Sequence, residues 1–542
     1  MARLSTLSVG ALDGLAALFA GAYPASASWL ATPSNDPEAE RVREAILALA
    51  GTVFDRATEI SNEGFETIGA RLCPSVLRAT PSATILELTP RRRAHLRRGA
   101  RAETIEGYPF VTTADCELSP IYLERARARG KTLEFDIVAA AGASLAECVG
   151  DSLEVFVHTV TDTAARLCAA LPKSIVTASA ENHSFPLDVA VDLTEPMVEE
   201  PDGPPQPALV LRDFFQFPAR FARFRLVGLS RVTADGNVKR AKISAVLPEA
   251  LELADFTASS LRANCVLATN LFETTADPMS IDAMHVSAAL RIAGVDNAKL
   301  FEVLEVTAVD RNERATSFAI PSVRRLGVER IDPRAPFAYS IEREATGDGQ
   351  LMVLTSPMTA TPVPNRFVVS ARLLATNGRD ASMLAPGAVS VASLGMDDVS
   401  AVRNIVSTSW SADAPTGMER VVRVEAFAQL PGAFSPLEAL RNLLLAMLPT
   451  RNVPRNVVRA TRRRIASIEH VSVEPYVRSS VEPPTRGYLV RVGIDESAFD
   501  GRGEVELFAL LLQAVLRKTV PLGAPVRVEA HLRIANESIV IE

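Results

Sequence analysis

The chain has 542 residues, 48% of them hydrophobic and 22% charged, an ordinary composition for a soluble globular protein of roughly three or four structural units. Its formal net charge is −7, and acidic and basic residues are mixed along the whole sequence. These values exclude a disordered or fibrous chain, and they give no basic field that would attract nucleic acid.

Arginine and cysteine usage each restrict the class of protein. Only six of the 57 basic residues are Lys, and Arg suits protein interfaces because its planar guanidinium pairs with carboxylates bidentately. The cysteines are odd in number and form no Cys-x-x-Cys pair, which indicates a reducing compartment and argues against a zinc site. They are Cys73, Cys116, Cys148, Cys168 and Cys265.

The N-terminal region is predicted to be helical. An apolar stretch at 4–22 lies between Arg3 and the small residues 25–27, an order that resembles a secretory signal with its cleavage site. Asp13 interrupts the stretch, and its apolar side chains fall on one helical face, so the pattern favours an amphipathic helix. A second such helix is predicted to begin at Asp36-Pro37. No later apolar run is long enough to span a membrane.

Strands and a helix are predicted in the next part of the chain. Ile85 and Glu87 mark one strand, and alternating residues at 153–157 mark another, followed by a helix from Asp162 to Pro172. Segment 91–101 holds six Arg without an interleaved Phe, Tyr or Trp. We interpret it as a solvated loop or a surface for an acidic partner, because nucleic-acid sites add aromatic rings that stack on bases.

Three features follow in the middle of the chain. Segment 196–207 contains five Pro and one Gly, which predicts a linker or exposed loop. Five Phe between positions 214 and 224 are typical of a hydrophobic core. At 264–281, an apolar run leads into an Asn-Leu-Phe corner and an Asp-Pro turn. We predict that Asn270 fixes the backbone there, that Leu271 and Phe272 pack, and that Phe272 lies in the core.

The C-terminal part of the sequence alternates strands and helices. A strand is predicted at 366–374, followed by a turn at Asn377-Gly378. The capping box Ser435-Pro436-Leu437-Glu438 opens a helix with an apolar face. A strand ending at Ile494, an apolar helix at 506–518 and a strand at 526–534 complete the chain, and the last strand predicts one polar sheet face.

The sequence contains no motif that marks an enzyme. It has no phosphate-binding loop, dinucleotide fingerprint, nucleophile elbow or zinc-protease motif. The paired acids Glu199-Glu200 and Asp397-Asp398 are interpreted as solvated turns rather than a glycosidase pair. The histidines are isolated; they are His95, His158, His183, His285, His470 and His531. We therefore predict no catalytic residue, no cofactor-binding residue and no metal ligand.

Short segments in a fixed order carry a family resemblance. The opening set is Phe19-Ala20, Tyr23-Pro24, Asp36-Pro37, Leu72-Cys73-Pro74 and Leu77-Arg78 with Pro81-Ser82. The later set is the Phe-rich segment 214–229, the Asn-Leu-Phe segment 264–278, Thr376-Asn377 and the closing block 484–508. In this order they resemble the TssF family of type VI secretion system baseplate subunits. Gly378 and Leu522-Gly523-Ala524 depart from the family pattern and indicate a divergent member.

The resemblance implies a cytoplasmic scaffold protein without catalysis or cofactors. It implies a wedge that joins a TssG-like subunit and a second copy of this chain, with TssK-like and TssE-like subunits attached. Such wedges surround the spike and seed the contractile sheath, components that this chain would meet only indirectly. No nucleic acid and no direct membrane insertion are implied.

Together these elements predict an α+β, multi-domain chain with an N-terminal helical region, a β-rich middle and a C-terminal strand-helix-strand unit. The predicted divisions are 1–195 (helical and α/β), 196–207 (acidic Pro-rich loop), 208–395 (β-rich) and 396–542 (α+β). Two alternative functions remain open from sequence. One is a wedge subunit of a phage-tail-like contractile particle, and the other is an exported hydrolase without a readable motif, which requires cleavage of the N-terminal segment.

Overall fold

The structure is a computed structural model that divides into two compact units, Met1–Ala70 and Arg71–Glu542. It describes residues 21–22, 74–180, 183–193, 196–198, 208–234, 236–251, 256–281, 287–294, 298–310, 317–322, 338–343, 350–355, 367–415, 418–428, 437–448, 453–478, 485–520 and 524–541. Gly21 and Ala22 are helical. The rest of both predicted N-terminal helices lies outside the described residues, as do Cys73, His285, Glu199-Glu200, Ser435-Pro436 and 522–523.

Seven α-helices are described between residues 74 and 541. They are α1 (Leu145–Cys148), α2 (Thr161–Ala170), α3 (Leu209–Gln216), α4 (Met418–Ala428), α5 (Leu437–Met447), α6 (Arg455–Ala466) and α7 (Arg502–Thr519). Short 3-10 helices span Pro74–Leu77, Leu171–Lys173, Pro218–Phe221, Leu229–Arg231, Gly378–Ala381 and Glu496–Ala498. The predicted helices after Asp162 and Pro436 are confirmed as α2 and α5, and α5 buries its predicted apolar face.

The same part of the chain contains twenty-eight described strands. The first fourteen are β1 (Ala83–Pro90), β2 (Ala94–Leu96), β3 (Arg101–Thr104), β4 (Pro109–Thr112), β5 (Cys116–Leu118), β6 (Ile121–Arg129), β7 (Thr132–Ala139), β8 (Ser152–Val157), β9 (Ile175–Ala180), β10 (His183–Ala190), β11 (Arg223–Val227), β12 (Arg240–Val246), β13 (Leu261–Ala263) and β14 (Cys265–Thr269). The others are β15 (Phe272–Thr275), β16 (Met279–Ile281), β17 (Ser287–Ala289), β18 (Lys299–Asp310), β19 (Ser317–Ala319), β20 (Ala338–Arg343), β21 (Gln350–Thr355), β22 (Phe367–Thr376), β23 (Val389–Ala392), β24 (Val399–Asn404), β25 (Ile468–Arg478), β26 (Thr485–Ile494), β27 (Val526–Leu532) and β28 (Glu537–Ile541).

The two largest described sheets of the second unit are antiparallel. The eight-stranded sheet has the order β13-β8-β11-β10-β9-β12-β7-β6, and the six-stranded sheet has the order β23-β3-β4-β14-β1-β24. The six-stranded sheet therefore pairs strands that are more than three hundred residues apart, for example Leu86 with Asn404. The predicted divisions at 195, 207 and 395 stay predictions.

Strand β14 explains the apolar run at 265–268. Cys265 and Leu267 pack in the core shared with the eight-stranded sheet, whereas Val266 and Ala268 pack in a second core on the opposite face. Because successive side chains of a strand point to opposite faces, a strand buried on both sides reads as continuously apolar. Asn264 directly precedes this strand with a φ of 54°, a left-handed conformation that Asn tolerates better than most residues.

The middle and the end of the chain form smaller sheets. Strands β15, β16, β18, β19 and β22 make one sheet, and β17, β20 and β21 make another, which confirms the β-rich middle. In the C-terminal sheet, β26 and β27 run parallel and are joined by α7, so the predicted strand-helix-strand unit is confirmed. Strand β27 ends at Leu532 rather than 534, because residues 533–536 turn the chain into β28.

The overall class is α+β with a strand-rich middle, as predicted. Among the helices of the described ranges, none is long and apolar enough to cross a membrane.

Candidate functional site

Asn270 forms a buried hydrogen-bond hub at the end of β14. Its side chain is fully buried, and its Nδ2 donates to the carbonyl oxygen of Pro109 at 2.7 Å and to Oδ1 of Asn377 at 2.8 Å. Its Oδ1 accepts hydrogen bonds from the Thr376 hydroxyl at 2.9 Å and from the Asn377 backbone N–H at 2.7 Å. The amide thus uses both its donor and acceptor atoms, as a buried amide must.

The hub joins three strands from separate parts of the sequence. Pro109 begins β4, Asn270 follows β14, and Thr376 ends β22. The prediction that Asn270 fixes the backbone is confirmed, and its partner is the Thr376-Asn377 turn. Gly378 follows with a φ of +54°, where a residue without a Cβ avoids steric strain.

The two apolar residues after Asn270 pack as predicted. Phe272 is 4% exposed, and the guanidinium carbon of Arg101 lies 6.0 Å from its ring centroid. Leu271 is partly buried and packs against a small cluster that contains Ala79 and Phe301. The burial of apolar surface on both side chains stabilises the Asn-Leu-Phe corner at 270–272.

A second contact links the Phe-rich segment to the end of the chain. Phe508 of α7 lies 5.6 Å from Phe214 and 6.3 Å from Phe215 between ring centroids. Phe499 lies 6.0 Å from the same ring. All five Phe of the segment are buried, which confirms the predicted core role. The Phe-rich segment and the closing block are therefore one aromatic cluster.

The polar residues of α3 also serve the core. The buried Asp213 forms an ion pair with Arg220 and accepts the backbone N–H of Met197 at 2.6 Å. Burial lowers the pKa of the Arg220 guanidinium, and the carboxylate of Asp213 opposes that shift. Gln216 donates to the carbonyl oxygens of Pro81 and Trp410 at 2.8 and 2.9 Å. These contacts hold loops in place around α3.

The histidines lie in separate surroundings. His95 is a surface residue whose Nδ1 is 2.8 Å from Oε1 of Glu117, and this hydrogen bond raises its pKa. His158 follows β8 and is half-buried; burial and the charge of Arg262 lower its pKa. Within the ranges that the structure describes, no group of three His, Cys, Asp or Glu side chains is arranged to hold a metal ion.

The four cysteines of the described residues are free thiols. Burial raises the pKa of Cys116 and of Cys168 to about 12, and it raises the pKa of Cys265 well above its ordinary value. A thiol with such a pKa stays protonated at neutral pH, so these side chains are poor nucleophiles. They pack as small apolar groups.

Charged side chains of the C-terminal sheet pair with one another. Arg491 of β26 lies 2.6 Å from Glu474 of β25 and 3.1 Å from Glu529 of β27, measured between charged atoms. Arg527 lies 3.4 Å from the same Glu529. The predicted polar sheet face is therefore present, and it is a ladder of alternating charges.

The arginine-rich segment 91–101 is more structured than the predicted loop. It includes the short strand β2, which pairs with β5. Arg92 lies 2.7 Å from Asp398, and Arg101 lies 2.8 Å from Glu103. Asp397-Asp398 forms the predicted turn, and Asp398 pairs with Arg92 there.

Helix α6 carries a basic surface that the sequence reasoning missed. Arg455, Arg459 and Arg462 are exposed and recur every three or four residues, so they form one row along the helix. Arg462 also lines a groove of about 520 Å³ between α5 and α6. The signal was present in the sequence, because these arginines follow Pro454 with helical spacing while Val458, Thr461 and Ile465 fall on the adjacent, more buried face.

The comparison with known families decides the identity. A family model described as "Type VI secretion system, TssF" matches residues 9–540. The chain belongs to the TssF family of the type VI secretion system. No curated protein sequence matches it. The segments that carry the sequence resemblance to TssF also contact one another in the fold. The Asn-Leu-Phe segment meets the Thr-Asn turn in the hub, and the Phe-rich segment meets the closing block.

Two solved structures share the fold of this TssF-family chain. One is a chain of the "TssK-TssF-TssG baseplate subcomplex" of the type VI secretion system, with a TM-score of 0.72 and 19% identity over 93% of this chain and 98% of that chain. The other comes from "the baseplate complex from the type VI secretion system", with a TM-score of 0.56 and 15% identity over 100% of this chain and 98% of that one. Each match covers 98% of the solved chain and at least 93% of this chain, so the likeness extends over nearly the whole fold.

Proposed function

We propose that this chain is a structural subunit of the baseplate wedge of a type VI secretion system. The observation that carries the proposal is the TssF family match over residues 9–540. The chain would help to assemble the platform that surrounds the spike and seeds the contractile sheath. Family membership favours this role over a subunit of a phage-tail-like particle and over an exported hydrolase.

The internal construction of the chain suits a part that transmits force. The six-stranded sheet joins strands from both ends of the 83–404 region, and the hub at Asn270 connects two of its strands, β4 and β14, to β22 of another sheet. Aromatic packing between Phe214 and Phe508 adds a link to the C-terminal sheet. Long-range links of this kind make the second unit resist stretching.

The partners follow from the same role. The baseplate subcomplex whose fold this chain shares contains TssK and TssG, and we propose that TssG-like and TssK-like subunits bind this chain. A TssE-like subunit and a second copy of the chain complete the proposed wedge. Its place would be the cytoplasm, and its role would be mechanical rather than catalytic, without a cofactor. The divisions at 195, 207 and 395 are proposed as the boundaries of its parts.

Sheath assembly in the bacterium that encodes the chain tests the proposal. Cells that carry a fluorescent sheath subunit are compared before and after deletion of the gene. We expect the deletion to abolish sheath assembly and a plasmid copy of the wild-type gene to restore it. Normal sheaths in the deletion strain would refute the proposed role.

A further inference from the structure

The arginine row of α6 differs from several other arginines of the C-terminal region, which pair with carboxylates of the same chain. On the inner side of the same helix, Arg464 pairs with Glu504 at 2.9 Å. Arg491, Arg502 and Arg533 also lie within 3.2 Å of a carboxylate. Those arginines are neutralised within the chain.

Arg455, Arg459 and Arg462 have no such acidic partner among the residues that the structure describes. They share one exposed face, since positions separated by four and three residues lie within a narrow sector of a helix. Three like charges in one row repel one another, and the row is more stable when carboxylates from elsewhere neutralise it.

An apolar groove adjoins this row. Its floor is aliphatic, formed by Leu445, Leu448 and Ile465, and Leu445 remains 42% exposed although it belongs to a packed helix pair. Arg441 and Arg462 lie along its walls, and the acidic lining residue Glu438 is already paired with Arg441 at 3.1 Å. The groove thus offers an apolar floor with a cationic side.

We infer that the α5–α6 groove and the row of Arg455, Arg459 and Arg462 dock an acidic amphipathic segment of a neighbouring baseplate protein. One apolar side chain of that segment enters the groove over Leu445, and its carboxylates pair with the arginines. The inference rests on the proposed function, because it assigns a contact of the wedge subunit.

The chemistry of the surface selects a protein over other anionic partners. The planar guanidinium of Arg can donate two parallel hydrogen bonds to a carboxylate of Asp or Glu. The aliphatic floor of the groove can pack against a Leu, Ile or Val side chain. The residues that line the groove include no aromatic ring on which a nucleic acid base could stack. A lipid surface needs no groove, since it would meet a flat apolar face.

Site-specific cross-linking tests where the partner lies. A photoreactive benzoylphenylalanine replaces Leu445 in the full-length chain, which is co-expressed with the TssG-like and TssK-like subunits of the same system. After irradiation, we expect a cross-link to a peptide with at least two Asp or Glu within one helical turn of an apolar residue. A cross-link to a neutral or basic peptide, or none while the complex forms, would overturn the inference and leave the proposed function intact. Failure of the unmodified chain to form any complex would overturn both.

A peptide probe tests the charge pairing separately. A fluorescein-labelled helical peptide with Glu residues one turn apart around a Leu is compared with its Gln counterpart by fluorescence anisotropy. We expect the Glu peptide to bind the wild-type chain. The triple variant Arg455→Glu, Arg459→Glu, Arg462→Glu should bind the same peptide at least about tenfold more weakly. Added salt should also weaken the binding of the Glu peptide to the wild-type chain, because it screens the charge pairing.

A matched triple variant controls for net charge. Arg93→Glu, Arg129→Glu and Arg379→Glu change three other exposed arginines, and this variant should bind the Glu peptide as the wild type does. Circular dichroism and thermal melting establish that both triple variants fold. Equal binding of the Glu and Gln peptides would refute the inference, as would stronger binding to a single-stranded DNA oligonucleotide or to phosphatidylglycerol vesicles.

Discussion

The side-chain amide of Asn270 donates a hydrogen bond of 2.8 Å to Oδ1 of Asn377, which lies 107 residues further along the chain. The same side chain also bonds Pro109 and Thr376, so one residue connects the ends of three strands. These hydrogen bonds contribute to the stability of the fold because the site is buried. A polar atom there that lacks a partner has lost its hydrogen bonds to water and gains none in return, which costs free energy.

Replacement of Asn270 by Ala should therefore destabilise the chain by about 3 kcal/mol, since it leaves several buried polar groups unpaired. Urea unfolding followed by circular dichroism measures the loss. Asn456 is the control, because it is exposed on α6 and its replacement by Ala should change the stability by less than about 0.5 kcal/mol. Equal stability of the two variants would show that the hub is not a structural joint.

The aromatic cluster around Phe508 predicts a second loss of stability. Phe508 is 1% exposed and contacts rings from α3, so Phe508→Ala should cost about 3–5 kcal/mol, and Phe508→Leu should cost less. Thermal unfolding measures both changes. Ile105 is 85% exposed, and Ile105→Ala serves as the control with little expected effect. A melting temperature of Phe508→Ala like that of the control would contradict the aromatic link.

The buried thiols predict slow chemical labelling. The pKa of Cys168 is raised to about 12, so at pH 8 its native thiol should react on the order of a thousandfold more slowly than an unfolded one. Labelling with dithionitrobenzoate followed by peptide mapping measures the rate, with the guanidinium-unfolded chain as the reference. The native rate should rise about tenfold for each unit of pH, because thiolate is the reacting form. Labelling of native Cys168 at the unfolded rate would contradict its burial.

His95 and His158 should titrate on opposite sides of the ordinary value of 6.5. Glu117 raises the pKa of His95, so its stabilising contribution is present below pH 6.5 and is lost as the pH rises through the folded pKa. Burial lowers the pKa of His158, so its contribution is present above pH 6.5 and is lost as the pH falls through the folded pKa. Nuclear magnetic resonance of histidine-labelled protein measures both values.

The Glu117→Gln variant is the control for this titration. It should lower the pKa of His95 toward 6.5 and leave that of His158 unchanged, because Glu117 contacts only the former ring. Identical His95 titrations in the variant and the wild type would refute the assigned cause.

Local pattern was sufficient for many elements of this fold. The strand at 153–157, the helix α2, the apolar face of α5 and the strand-helix-strand order at the end of the chain were each predicted, because periodicity within ten to twenty residues determines which face is buried. Phe272 was predicted as a core residue from its size alone, and it is buried.

Contacts between residues far apart in the sequence could not be predicted from such local patterns. Nothing in the sequence near Asn270 indicates that its partners are Thr376 and Asn377, since the contact depends on how distant strands meet. The pairing of β1 with β24 was likewise not predictable, because it also depends on how distant strands meet. For the arginine row of α6 the information was local and was overlooked, because an exposed basic helix offers few apolar residues to mark its period.

Native mass spectrometry of a co-expressed complex tests the central claim most directly. The full-length chain is expressed with the TssG-like subunit of the same secretion system, purified through a tag on that subunit alone, and weighed intact. Membership of the baseplate wedge predicts a stable assembly that contains this chain, with a mass that corresponds to whole numbers of both subunits. A TssG-like subunit that purifies without this chain, while the chain remains a folded monomer, would contradict the account.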